Sequence, residues 1–392
     1  PRLDESALRA ERAAEKLGVP YLPDRTAQLT VPHNGHPACH YCGGCTKGCD
    51  SGSFFSPTWF TIPDAEATGK LELRTHAHVK DIFVDGRGAA KGVTYIDRKK
   101  YEQTGQIEEV EVLGKVVVVA ASCCETARIL LNSKSRHWPQ GLGNSSGQLG
   151  RNLSDHLYGT PGYGYLPQLL GQPSQPDNVH DATVSWMPRW QNLRDAHEEK
   201  FVGGYSVYTG GGCGEFPWYH SQIEGFGSQF KREMKRYYPT PFGFLIQAPS
   251  LPSEHNYVDL DPEVKDIFGI PVARFHFQWG SNELLMWEHC KQVCRELVKQ
   301  AGGELWGADD DPASPGISLH ETGTCRFGND PKRFVTNRFA QCHDVPNVYV
   351  CDASIFPFAT DKTSTISILA FTAKTCDHIV ENFRSGFHQR AG

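Results

Sequence analysis

The chain has 392 residues, 39 Lys+Arg against 45 Asp+Glu for a formal net charge of −6, and 39% hydrophobic and 11% aromatic residues. That is length for two to three domains with ample material for a core, which excludes disorder of the whole chain. The near-balanced charge offers no basic field for a nucleic-acid backbone, and no apolar run reaches the roughly 18 residues of a bilayer-spanning helix.

In chain order, Pro1 opens the sequence with no Met and no leader signal, so the expectation is a processed or partial polypeptide. Leu3–Leu17 has the apolar spacing of an amphipathic helix. Thirteen cysteines, an odd number, cannot all pair in disulfides. Four of them, Cys39, Cys42, Cys45 and Cys49, follow the pattern C-x2-C-x2-C-x3-C, the ligand spacing of bacterial ferredoxin loops. Gly43, Gly44, Gly48 and Gly52 give the loop freedom to bring thiolates together on one small inorganic core. The position after the last cysteine holds Asp50 rather than the usual Pro. The spacing points to an iron–sulfur cluster, 4Fe-4S or 3Fe-4S, with structural zinc and disulfides or plain thiols as open alternatives.

Leu71–Val84 and Gly92–Arg98 alternate like strands around the turn Asp85–Gly88 and predict a β-hairpin. The Gly86-x-Gly88 pair is not a dinucleotide fingerprint, because a strand rather than a helix follows it. Val116–Ala121 is a short, wholly apolar run, the mark of a buried parallel strand, and Ser122–Ser133 reads as the helix after it. Short alternating stretches at Thr183–Arg189, Phe201–Thr209 and Phe242–Ala248 fit antiparallel strands. Glu283–Gln300 and Ile366–Phe383 are helical, and Asn347–Cys351 is a second buried strand. The expected fold class is α/β with a mostly antiparallel insertion, the chain returning to its first domain at its end. The expected boundaries are 1–62 for an N-terminal helix and Cys-rich loop, 63–150 and 340–392 for the two parts of the first domain, and 151–339 for the insertion.

Five segments, in order, resemble the glucose–methanol–choline (GMC) flavoprotein oxidoreductases, closest to the gluconate, fructose and sorbitol dehydrogenase large subunits. They are Ala121-Ser122 with Ile129–Leu131, Leu153-Ser-Asp155-His156, His320-Glu-Thr-Gly-Thr-Cys-Arg-Phe-Gly328, Asn329-Asp-Pro331, and His343 through Asp352-Ala-Ser354. The resemblance implies a Rossmann-like FAD-binding domain, partial here, joined to an antiparallel-sheet substrate domain. It also implies alcohol oxidation by hydride transfer to FAD. The family's G-x-G-x-x-G fingerprint is absent, so the resemblance implies that an upstream segment, or a chain supplying it, completes the fold.

Carried over by position, His320 is the residue that takes the alcohol proton, and Thr363 stands where the family has His or Asn, with Lys362 beside it as a candidate substitute. The implied FAD contacts are Val79, Ser122, Asp352, Ala353, Ser364 and Thr365. Trp186, Trp190, Trp218 and Tyr219 are candidates for stacking on a sugar ring. Joined to an iron–sulfur loop, such a flavoprotein is expected to be a dehydrogenase of a sugar, sugar acid or polyol that feeds a cytochrome or other acceptor subunit. The family branch implies the periplasm, with the cytoplasm as the alternative. The rival reading is a non-catalytic accessory or electron-transfer subunit that keeps the fold as a scaffold, and a third is a zinc-stabilised binding protein.

Overall fold

A computed structural model describes residues 5–23, 26–42, 45, 48–173, 185–193, 200–211 and 218–386. Its elements begin with α1 (Glu5–Lys16), β1 (Leu22–Pro23), α2 (Thr61–Ala67), β2 (Ala77–Val84), β3 (Ala90–Asp97) and α3 (Arg98–Thr104). They continue with β4 (Glu109–Leu113), β5 (Val117–Val119), α4 (Cys123–Asn132), β6 (Leu157–Tyr165), β7 (Ser185–Met187) and β8 (Ser206–Gly211). Next come α5 (Gly227–Tyr237), β9 (Pro241–Ala248), β10 (Tyr257–Lys265) and β11 (Pro271–His276). The last are α6 (Ser281–Gln300), β12 (Glu304–Gly307), β13 (Val348–Val350) and α7 (Thr365–Arg384).

The chain forms two compact units, one of residues 1–73, 157–248 and 281–313 and the other of residues 74–156, 249–280 and 314–392. The expected segment 151–339 is thus shared between them.

The first unit is built on a six-stranded antiparallel sheet in the order β1-β7-β8-β9-β6-β12. Helix α6 buries Met286, Trp287, Cys290, Cys294 and Leu297, the one-face spacing of a helix laid on a sheet. It comes close to β6 at Gly159, where a Cβ would stand 2.6 Å from the Trp287 ring. Helix α1 turns Ala7, Ala10, Ala13 and Ala14 inward, small side chains that let it lie close to its neighbours. Trp186 stacks on Tyr208, and Tyr219 is fully buried with its hydroxyl donating to the Met234 carbonyl at 2.6 Å. Tyr219 is therefore a core residue rather than a sugar platform. Thr183 and the Trp218 side chain lie outside the described residues.

The second unit holds the parallel pair β5–β13, in register from Val117↔Val348 to Val119↔Val350. Their inward valines meet Ile82, Ile129, Leu130 and Ile355 in one core. The expected hairpin is here, but as a three-stranded sheet, β2-β3-β4. Its first strand begins only at Ala77, because Leu71 and Leu73 are exposed and His76 takes φ +57, which breaks the extended run. The β10–β11 hairpin is fastened to α4 by Arg128, whose guanidinium donates to the Pro271 carbonyl at 2.8 Å and to Asp266 at 2.6 Å.

Candidate active site

Two stretches far apart in sequence run antiparallel in the second unit. The Ser154 amide donates to the Thr322 carbonyl at 3.0 Å, and the Thr322 amide donates back to Ser154 at 2.8 Å. The close fit needs Gly323, at φ +98, where a Cβ would stand 2.0 Å from the Asn152 carbonyl oxygen. This pairing sets Asp155 and His156 against the segment Gly316–His320.

Asp155 is 1% exposed, and its carboxylate accepts from the amides of His156 at 2.8 Å, His320 at 3.2 Å and Gly316 at 3.0 Å. Burial pushes its pKa up, against the pull of those amides. Leu319, at φ +61, turns the backbone between Ser318 and His320. The Ser318 hydroxyl then lies 3.0 Å from His320 Nδ1 and 3.3 Å from His156 Nδ1, and the two Nδ1 atoms are 3.0 Å apart.

Burial lowers the pKa of His320, and the neighbouring Glu321 carboxylate only partly offsets it. Burial lowers His156 further, to about 4, with His320 the next contributor. Both rings are therefore neutral at neutral pH, as a proton acceptor must be. A cleft of about 360 Å³ is walled by Leu153, Phe275, Phe277 and Ile317, with Asp155 and Glu321 as its acidic groups. Burial, and to a lesser degree Asp155, raises the Glu321 pKa.

The backbone of Thr360 and Lys362 faces the His156 ring, so the segment leading to Thr363 lies against the histidine pair. Thr363 itself is exposed. Lys362 is tied to Asp361 at 2.6 Å.

Among the implied FAD contacts, Ser122, Asp352 and Ala353 are brought together. Each follows the carboxyl end of one of the two paired strands, where open α/β sheets bind dinucleotides. The two turns are joined by Thr126, whose hydroxyl donates to Asp352 at 2.5 Å, while Asp352 also accepts from the Ser354 amide at 2.9 Å. Ser122 takes φ 72 and ψ 161, leaving the first turn of α4 without a side-chain cap, so its amides stay available to an anionic ligand. Ser364 and Thr365 open α7, also without a side-chain cap. Val79 is half-buried on β2 against the core and is tied to packing first. The donor chemistry of this crevice fits a dinucleotide.

Cys39, Cys42, Cys45 and Cys49 line one small cavity in the first unit, together with Gln28, and Cys39, Cys42 and Cys49 carry no disulfide. Burial raises the Cys49 pKa, but donors outweigh it, chiefly the Ser51 hydroxyl at 3.3 Å and the Ser53 hydroxyl at 3.6 Å, and bring it down to about 6. Among the described residues, the ligand atoms gathered within 4.8 Å are those of His40, Cys42 and Asp50; no three of these sulfurs are so close. Gly43 and Gly44 lie outside the described residues, as does Cys213. The donor set suits iron or zinc, and no three of the four sulfurs lie close enough to share a single ion.

The sequence reading does not assign a role to Asp155, His156 or Ser318. Their nearness to His320 is set by a pairing across more than 160 residues, which leaves no local spacing to read. The one signal available is the Leu153–His156 segment itself.

A family model described as GMC oxidoreductase matches residues 8–158 and 252–372. A 2-methyl-1,2-propanediol dehydrogenase from Mycolicibacterium austroafricanum is 31% identical over 97% of this chain and 67% of its own length. The fructose dehydrogenase large subunit of Gluconobacter japonicus is 24% identical over 95% of this chain and 65% of its own. The chain thus spans about two thirds of the length of these curated relatives. A pyridoxine 4-oxidase crystal structure from Mesorbium loti superposes with a TM-score of 0.62 at 16% identity, over 96% of this chain and 70% of that one, a likeness of fold.

Proposed function

This chain belongs to the GMC oxidoreductase family, and from that premise we propose that it oxidises an alcohol group on a sugar, sugar acid or polyol. GMC oxidoreductases bind FAD, which when bound supplies the acceptor for the hydride leaving the alcohol carbon. The observation that carries the reading is a neutral His320 whose backbone amide is held by Asp155, itself a wall of the cleft. His320 takes the hydroxyl proton of the alcohol, leaving a carbonyl product. Thr363, short and neutral, hydrogen-bonds the substrate oxygen without acting as a base. Ser122, Asp352, Ala353 and the α4 and α7 first turns hold the dinucleotide. Phe275 and Phe277 give the cleft an apolar wall.

The finer part of the proposal concerns where the electrons go. Cys39, Cys42, Cys45 and Cys49 would hold an iron–sulfur cluster, which when bound would supply single-electron transfer to a separate acceptor subunit such as a cytochrome. Their spacing, their shared cavity and the lowered Cys49 thiol support this.

The test is to purify the intact protein anaerobically, assay flavin, iron and acid-labile sulfide, and then add fructose, gluconate or 2-methyl-1,2-propanediol. Bleaching of flavin absorbance near 450 nm, with one-electron dyes reduced much faster than oxygen, is expected. Flavin that no alcohol bleaches would sink the enzymatic reading in favour of an accessory subunit. Zinc without iron, or peroxide formed in step with product, would sink the relay alone.

A further inference from the structure

We propose that His156 is a positioning residue that fixes the tautomer of His320, placing the His320 proton on Nδ1 and leaving Nε2 as the bare nitrogen that receives the substrate proton. The inference rests on the reading of His320 as the proton acceptor and adds to it the direction of a single hydrogen bond.

The two Nδ1 atoms are 3.0 Å apart, and the rings meet edge to face at 74° with centroids 5.0 Å apart. Two neutral rings can share only one proton on that line, so one Nδ1 donates and the other accepts. The role read for His320 decides which: its Nε2 must be bare to take the substrate proton, so its own proton sits on Nδ1. The His156 Nε2, on the far side of that ring, is buried and makes no hydrogen bond. His156 therefore carries its proton on Nε2, and its Nδ1 is the acceptor.

His320 then donates from Nδ1. The Ser318 hydroxyl, within hydrogen-bond distance of both Nδ1 atoms, can accept from His320 and donate to His156. The ionisable groups around the pair are Asp361 on the His156 side, Glu321 beside His320, and Asp155 behind both backbones. None of the three lies between the two Nδ1 atoms. When His320 takes up a second proton on Nε2, its Nδ1–H still points at a neutral acceptor, so the imidazolium forms without reorganisation.

Imidazole nitrogen shifts of the intact, [15N]His-labelled protein test this directly, with His320 assigned by its loss in His320→Gln. The expected spectrum has a pyrrole-like Nδ1 and a pyridine-like Nε2 for His320, and the reverse order would overturn the proposal. His156→Phe removes the acceptor, so His320 should shift toward the Nε2–H tautomer. Flavin reduction should then slow about tenfold, the worth of one hydrogen bond, with little change in KM. His156→Asn returns an acceptor oxygen near the Nδ1 position and should recover most of that loss and the original tautomer. An unchanged tautomer in His156→Phe would also overturn it, and if that variant does not fold, the wild-type and His156→Asn spectra still decide. The shifts report the tautomer whether or not any alcohol proves to be a substrate, which separates this failure from failure of the proposed activity.

Discussion

Asp155→Asn should loosen the loop that carries His320 while changing the side chain by one atom. The wild-type carboxylate uses one oxygen for the amides of His156 and His320 and the other for that of Gly316. An asparagine can satisfy one of these two groups, and its NH2 then points at the donors of the other. Hydrogen bonds to a charged acceptor are worth roughly 1.5–3 kcal/mol each. Set against that loss, the neutral amide escapes part of the burial penalty that raises the Asp155 pKa. The net local cost is about 2–4 kcal/mol, which corresponds to roughly 30- to 800-fold faster opening. Amide hydrogen exchange of a peptide spanning 314–324 measures it, because locally opened segments report their own free energy.

The sign of the pH effect follows from the same residue. A carboxyl whose pKa is raised in the folded state binds its proton more tightly there. Its contribution to stability falls as pH climbs from the ordinary carboxylate range through the raised value, and Asp155→Asn should remove that slope. Exchange at Gly316 and His320 within threefold of wild type would refute the clamp.

Gly323→Ala puts a Cβ 2.0 Å from the Asn152 carbonyl at φ +98, so the Ser154–Thr322 pairing must open, and thermal unfolding should show a loss of roughly 2–4 kcal/mol. Gly147→Ala, at φ +68 with nothing within 4 Å, should cost only about 1 kcal/mol, and equal losses for the two would dismiss close approach as the cause. Asp266→Asn should destabilise the second unit at neutral pH. Burial raises the Asp266 pKa, but Arg128 and the Ile270 and Phe268 amides more than offset it and leave it depressed. Its stabilisation is therefore complete above the ordinary carboxylate range and is lost as pH falls through the depressed value. The urea midpoints of wild type and variant should converge in acid, and a gap independent of pH would contradict the assignment.

Much of the second unit is legible from residue pattern alone. Val117–Val119 is an apolar run too short for a helix and is followed by one, so the strand-to-helix step shows plainly, and Val348–Val350 repeats the signal. The EVEVL of β4 also alternates, yet as an exposed edge with Leu113 68% accessible it lacks the apolar face that distinguishes a strand from a loop. The β10–β11 hairpin is obscured because its outer half is exposed and its turn is closed by Asp266 rather than by a Gly-rich pair. His320 is found through the motif around it. Asp155, His156 and Ser318 are not, since what assembles them is one reciprocal backbone pairing between distant loops. The four thiols line one cavity, but their spacing in sequence does not say what they hold there.

The central claim is that His320 takes the proton of an alcohol. Anaerobic stopped-flow reduction of the bound flavin, in wild type and in His320→Ala with flavin content matched, tests it most directly. The account predicts bleaching slowed by about 10²–10⁴ in the variant, the usual worth of a positioned general base, with the deficit shrinking as pH rises and the alkoxide forms unaided. Equal rates in the two proteins would contradict it.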